Sequence, residues 1–212
     1  MNAGLILIAL IGYAIGCIPT AWIVLKLSSG RDIRSVGTGN VGAHNTYDVT
    51  GSTWLAILVG ITDALKGVAA VCIARLIHGD WFAAVAVAGT MAVCGHNWNV
   101  LLRFKGGRGL ATAAGVFAAV DPFFLAVWGV MYLTGYYVIR KNVHVGSMTA
   151  ILGTAILAWS MPERVLRLTP IVVCYQPIQL SVFIGVVSAM LFIKHIEPIR
   201  EFLRTMSVTD GE

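Results

Sequence analysis

The run Trp54-Leu55-Ala56-Ile57-Leu58-Val59-Gly60-Ile61-Thr62-Asp63-Ala64-Leu65-Lys66-Gly67-Val68-Ala69-Ala70-Val71-Cys72-Ile73-Ala74-Arg75-Leu76-Ile77 is too long and too apolar for the core of a soluble domain. As an α-helix it would extend roughly 36 Å, enough to cross the roughly 30 Å hydrocarbon core of a bilayer. Asp63 and Lys66 interrupt it three residues apart, on one helical face. Ionisable residues at such depth pair with each other or face a wet cavity, and by default they mark function.

The same composition continues to both sides. Of 212 residues 58% are hydrophobic and 12% charged, with a mean hydropathy of +0.82, values that exclude a water-soluble domain with a charged surface. Further apolar segments fall near residues 4–25, 81–102, 109–120, 122–139, 146–161 and 171–193. Gly30, Gly79-Asp80, Gly106-Gly107, Asp121-Pro122 and Pro162 punctuate them. The expected fold is all-α: one polytopic membrane domain over residues 1–212, with about seven transmembrane segments. The segment from Leu110 is too short to span unaided and reads as a half-helix that starts at a glycine loop. Gly12 and Gly16 have the GxxxG spacing that lets helices approach closely in lipid.

Charge sets the orientation. With the N-terminus outside, the short loops on the inner face and the C-terminal tail collect eleven cations, from Lys26 to Arg204, against Arg75, Arg164 and Arg167 on the other face. That bias predicts an outside N-terminus and a cytoplasmic C-terminus in a cell membrane. The net charge of +5 is spread over loops rather than gathered on one surface, so topology and anionic head groups explain it better than nucleic acid. Ala14-Ile15-Gly16-Cys17 faintly resembles a lipoprotein cleavage site, but no cationic segment precedes it, and it is read as part of a retained first helix. Cys17, Cys72, Cys94 and Cys174 stand singly in apolar runs, and the histidines lack close metal-ligand spacing, so no metal site is expected.

The polar chemistry is concentrated in two expected inner loops. The first reads Arg31-Asp32-Ile33-Arg34-Ser35-Val36-Gly37-Thr38-Gly39-Asn40-Val41-Gly42-Ala43-His44-Asn45. Its glycines can point successive N–H groups into one concavity, and Thr38, Asn40 and Asn45 add side-chain donors, which suits phosphate. The second runs from Gly95-His96 to Phe104-Lys105-Gly106-Gly107-Arg108-Gly109 and opens a helix. Unpaired amides, the helix dipole and the two cations Lys105 and Arg108 converge there on an anion. Taken singly, each loop could also be a plain connection or a cationic anchor.

In order and spacing, Asp32-Ile33-Arg34, Gly37-Thr38-Gly39-Asn40-Val41-Gly42-Ala43 with Asn45, Asp63 with Lys66-Gly67, Gly95-His96, and Phe104-Lys105-Gly106-Gly107-Arg108-Gly109 with Ala111-Thr112 resemble the membrane acyl-phosphate:glycerol-3-phosphate acyltransferases, the PlsY family. The resemblance covers nearly the whole chain. It implies seven helices, an outside N-terminus and a cytosolic site. It further implies transfer of an acyl chain from acyl phosphate to the 1-hydroxyl of glycerol 3-phosphate, giving lysophosphatidic acid and phosphate for phospholipid synthesis. The partners implied are these substrates and membrane lipids, with no obligate protein partner and neither a metal nor an organic cofactor.

Carried over by motif, His195, Ser147 and Asn40 are the expected catalytic residues. Thr38, Gly39, Gly42, Asn45, Asp63, Lys66, His96, Lys105, Gly106, Gly107 and Arg108 are the expected substrate-binding residues. Thr38 stands where the family usually has serine, and Arg108 where it has lysine. Three departures fall on the acceptor side: His44 replaces a threonine, Asp48 an arginine that contacts the acceptor phosphate, and Pro198 an asparagine. Asn99 likewise replaces a proline. Two alternatives follow: the same acyl-phosphate chemistry with an acceptor lacking phosphate, or a membrane anion-binding or transport protein.

Overall fold

The computed structural model describes residues 3–139 and 141–209, with side chains as far as residue 204; Arg140, one of the cations counted above, lies outside them. The described residues form helices and no strands. They group into two compact units, Met1–Asp121 with Ile171–Val173, and Pro122–Pro170 with Cys174–Glu212.

In the first unit the first apolar segment is broken. Helix α1 (Ala3–Gly16) and helix α2 (Thr20–Ser29) are separated at Cys17-Ile18-Pro19, because Pro19 has no N–H and its ring disfavours helical backbone before it. The carbonyls left at the break are met by distant side chains: Asn99 Nδ2 donates to Cys17 O at 2.8 Å and Lys66 Nζ to Ile18 O at 2.5 Å. Backbone groups in an apolar surround need such partners.

Helix α2 closes on Gly30 in the left-handed conformation, and after the first polar loop comes the short helix α3 (Ala43–Thr50). Helix α4 (Thr53–His78) then runs for 26 residues between the Ser52 cap and Gly79 at φ 63°. Helix α5 (Phe82–Asn97) returns, and the second polar loop leads to helix α6 (Leu110–Val120), 11 residues long, the half-helix expected at that place.

Glycines let these helices touch. A Cβ on Gly12 would stand 2.5 Å from the Ala88 carbonyl oxygen, and one on Gly16 would fall on that of Ala92, so the GxxxG pair brings α1 onto α5. Likewise Gly115 of α6 meets the Ala64 carbonyl, and Gly67 of α4 meets Thr112 O.

The second unit contains helix α7 (Pro122–Thr134), which continues as a π-helical turn over Gly135–Ile139, helix α8 (Val143–Ser160), the one-turn helix α9 (Glu163–Leu166) and helix α10 (Pro177–Thr209). Helix α8 packs against both α7 and α10. The last helix departs from the expected 171–193 at both ends. Pro177, whose fixed φ suits a first helical turn, starts it late, and it runs on through Pro198. Ile171 and Val172 are instead drawn out as part of the first unit, both amides donating to Val120 O at the end of α6.

Among the described residues, six helical segments have the length and composition to cross a membrane, and Leu110–Val120 is a shorter apolar helix.

Candidate active site

In the first polar loop Asp32 caps a 3-10 turn over Ile33–Ser35 by accepting from Arg34 N, and its carboxylate also takes the Arg34 guanidinium at 2.6 Å. The Arg34 guanidinium holds the Asp32 carboxyl well below the usual carboxylate range. Arg34 also donates to Leu102 O at 3.3 Å, tying the first loop to the second. Beneath both lies one apolar cluster of Ala21, Leu25, Ile33, Val41, Val59 and Leu102.

Asn45, fully buried, organises the loop from within. Its Oδ1 accepts Thr38 N at 2.9 Å, and its Nδ2 donates to the carbonyls of Ile33, Val36 and Asn40. Its amide is therefore engaged with the backbone it shapes. Gly37 has φ +57°, and a Cβ there would fall on Asn45 Oδ1, so only glycine permits this closure. Gly39 also has a left-handed φ, +70°. Thr38 is exposed on the loop, with Asn40 and Gly39 half-buried beside it. Thr38 Oγ1 accepts from Asn40 N at 3.4 Å, and Gly42 sits against the Asn40 side-chain amide.

The second loop turns through Arg103 and Phe104, the two non-glycine residues with positive φ among those described. Asn99, the residue standing for the family's proline, contributes its side chain: Oδ1 accepts Leu101 N at 3.0 Å while Nδ2 reaches Cys17 O. Gly106 packs on the carbonyls of His96 and Asn97. The Gly107 amide donates to His96 O at 3.0 Å, and a Cβ on Gly107 would fall on both His96 Nε2 and Val41 O. The first loop, the end of α5 and the second loop thus meet at Gly107. Lys105, exposed, and Arg108, half-buried, flank that turn, and Gly109 begins α6 without any side-chain cap. Two cations, glycine-backbone turns and a helix N-terminus are a chemically sufficient cradle for a phosphate.

Asp63 and Lys66 lie behind this turn, 2% and 6% exposed. Lys66 Nζ stands 2.5 Å from Asp63 Oδ1, which also accepts from Thr20 Oγ1 at 3.0 Å and lies 3.8 Å from His96 Nδ1. Thr20 was not anticipated, although a hydroxyl directly after a proline inside an apolar run was a visible signal. Asn97 was also missed: it is fully buried, and neither end of its amide has a hydrogen-bond partner among the described residues; the buried Thr112 hydroxyl is alike. Such a group costs about 1–3 kcal/mol unless a ligand or water satisfies it.

On α3, His44 Nε2 and Asp48 Oδ2 stand 3.6 Å apart, so two of the three departures face each other across one helical turn. Ser147 and His195 belong to the second unit, on α8 and α10. Ser147 donates to Val143 O at 2.7 Å. His195 Nδ1 is 2.8 Å from Leu191 O. A carbonyl can only accept, so Nδ1 carries the proton and the neutral ring has its acceptor at Nε2.

A family model described as glycerol-3-phosphate acyltransferase matches residues 6–205. Among relatives, glycerol-3-phosphate acyltransferase 2 of Moorella thermoacetica is 39% identical over 145 residues, 68% of this chain and 73% of that protein. The glycerol-3-phosphate acyltransferase of Geobacter sulfurreducens is 34% identical over 199 residues, 92% of both. The crystal structure of PlsY (YgiH), an integral membrane glycerol 3-phosphate acyltransferase, in its glycerol 3-phosphate form superposes with a TM-score of 0.79 at 28% identity, covering 95% of this chain and 92% of that one. Its lysophosphatidic acid form gives 0.76 at 26% identity with the same coverage. The family expected from the two glycine loops and from Asp63 with Lys66-Gly67 is thereby established: the chain belongs to the glycerol-3-phosphate acyltransferases.

Proposed function

We infer that this chain is a membrane acyltransferase that moves an acyl group onto the 1-hydroxyl of glycerol 3-phosphate and yields lysophosphatidic acid. The solved relative in glycerol 3-phosphate and lysophosphatidic acid forms supports both ends of that reaction. The observation that supports the reading here is the convergence at Gly107, where two loops meet at the start of α6 between Lys105 and Arg108, an arrangement suited to a phosphate.

The donor this cradle suits is an acyl phosphate. The 1-hydroxyl oxygen attacks the acyl carbon, the carbon–oxygen bond to phosphate breaks, and the hydroxyl proton passes to the departing phosphate. The mixed anhydride is already activated, so the protein needs to position two anions and neutralise charge more than to supply a nucleophile. Lys105 and Arg108 carry the neutralisation, and Thr38 and Asn40 present a hydroxyl and an amide from the first loop. Asn45, Gly37, Gly39 and Gly42 shape that loop. Ser147 and His195 enter as catalytic residues on the family resemblance, and Ser147→Ala and His195→Ala are each expected to lower kcat at least tenfold.

Whole-chain matches to glycerol-3-phosphate acyltransferases favour one membrane domain over 1–212. The cation bias favours an outside N-terminus, a cytosolic C-terminus and a site supplied from the cytosol. Asp48 does not require a different acceptor. Its carboxylate is 36% exposed, so solvent weakens its repulsion of an acceptor phosphate.

A product screen by mass spectrometry tests the reading. Purified protein given acyl phosphate and glycerol 3-phosphate is expected to form lysophosphatidic acid, with neither acyl-CoA nor acyl carrier protein able to replace the donor. Product from glycerol but not from glycerol 3-phosphate would favour the acceptor lacking phosphate.

A further inference from the structure

Buried polar contacts run from the break in the first apolar segment to the turn at Gly107. At one end, the Ile18 carbonyl lies outside both helices and receives Lys66 Nζ. Lys66 is held in turn by Asp63 Oδ1, which also takes the Thr20 hydroxyl. His96 stands next, its Nδ1 3.8 Å from the same carboxylate oxygen. At the other end the His96 carbonyl accepts the Gly107 amide, and the ring edge at Nε2 fills the space a Gly107 side chain would need.

A buried ion pair is a poor means of stabilising a helix. Removing two charges from water costs several kcal/mol, and well-packed apolar residues often serve stability as well or better. Asp63 and Lys66 hold this position at near-complete burial, which shuts the pair off from direct contact with a dissolved substrate. What the pair does touch connects the α1–α2 break and the start of α2, through α4, to His96, and His96 is the residue against which the glycine turn is built.

We propose that the Asp63–Lys66 pair is a positioning device for the phosphate cradle. Anchored by Thr20 and the Ile18 carbonyl, it fixes His96, and His96 fixes the Gly106–Gly107 turn that carries Lys105 and Arg108. The proposal deepens the acyltransferase reading and rests on it in taking phosphate as the ligand of the turn. It replaces the expectation that Asp63 and Lys66 contact substrate themselves.

The test uses Asp63→Asn with Lys66→Met, which removes both charges together and leaves neither orphaned. Inorganic phosphate is the probe of the cradle, and acyl phosphate the probe of turnover. The expected result is a melting temperature within a few degrees of the parent and a dissociation constant for inorganic phosphate raised at least tenfold. The KM for acyl phosphate should rise in parallel, with kcat at saturation changed less than threefold. Amide exchange in the peptide spanning residues 104–110 should quicken while α1 and α5 keep their protection; a general loss of stability would quicken all three.

Thr20→Val retains both charges and is expected to weaken phosphate binding about threefold in the same direction. Unchanged phosphate affinity, KM and exchange in the double variant would overturn the proposal. If the double variant does not fold, unchanged phosphate affinity in Thr20→Val overturns it. Phosphate binding is read without turnover, so a parent protein that binds phosphate but makes no lysophosphatidic acid sinks the acyltransferase reading and leaves this test standing.

Discussion

Gly107 has no room for a side chain. Gly107→Ala would put a methyl group on the His96 ring and the Val41 carbonyl at once, and over-packing of this kind costs about 1–3 kcal/mol. The variant is expected to melt lower in detergent and to lose at least tenfold in kcat/KM, whereas Gly129→Ala, at a glycine with open space around it, should leave both unaltered. Asp32 governs the acid response of the first loop. Its folded pKa lies below the ordinary value of 3.8 because Arg34 pairs with its carboxylate. The clasp therefore contributes fully above that value, and its contribution is lost as pH falls below it towards the folded pKa. Asp32→Asn should cost about 1 kcal/mol at pH 7, and thermal melts of the two proteins should converge as the pH is lowered below 4. The glycines and cations of the two loops were legible in the sequence because their backbone and charge requirements are local. The pairing of Asp63 with Lys66 was legible from their spacing in an apolar run, but the burial of Asn45 was not: whether a polar side chain faces a ligand or the backbone depends on contacts such as Asn45 to Val36 and Lys66 to Ile18, which no spacing encodes.

The elements that carry the site are held by helices in close contact. Gly16 brings α1 against the Ala92 carbonyl of α5, and in lipid, where no hydrophobic drive favours one apolar surface over another, that closeness decides whether the helices associate. Gly16→Leu is expected to separate them, lower the melting temperature, and raise the KM for both substrates. Leu10→Ala, on an exposed position of the same helix, should do neither. The half-helix α6 and most helix ends were readable from length and from glycine or proline punctuation. The start of α10 was not, because the residues before Pro177 are largely apolar and the pairing that draws Ile171 and Val172 away, to Val120 O, joins residues far apart in the chain. Nor was the break at Pro19 foreseen: a proline inside an apolar run is tolerated in membranes when side chains meet the freed carbonyls, and those side chains, Lys66 and Asn99, lie far along the chain.

For the whole molecule, composition and the cation bias identified the membrane protein, and the two glycine loops together with Asp63 and Lys66-Gly67 identified the family, which the matched residues 6–205 bear out. Orientation is the molecular-scale expectation that follows from the cation bias. In a cysteine-free background, Ser35→Cys should react with a membrane-impermeant thiol reagent in inside-out vesicles and stay unlabelled in intact cells. The most direct measurement is of both products at once in proteoliposomes. Supplied with acyl phosphate and glycerol 3-phosphate, the protein should release lysophosphatidic acid and inorganic phosphate in equal amounts, and Arg108→Ala should cut that rate at least a hundredfold. Absence of lysophosphatidic acid from the well-folded parent protein, or an undiminished rate in Arg108→Ala, would contradict a phosphate cradle that drives acyl transfer.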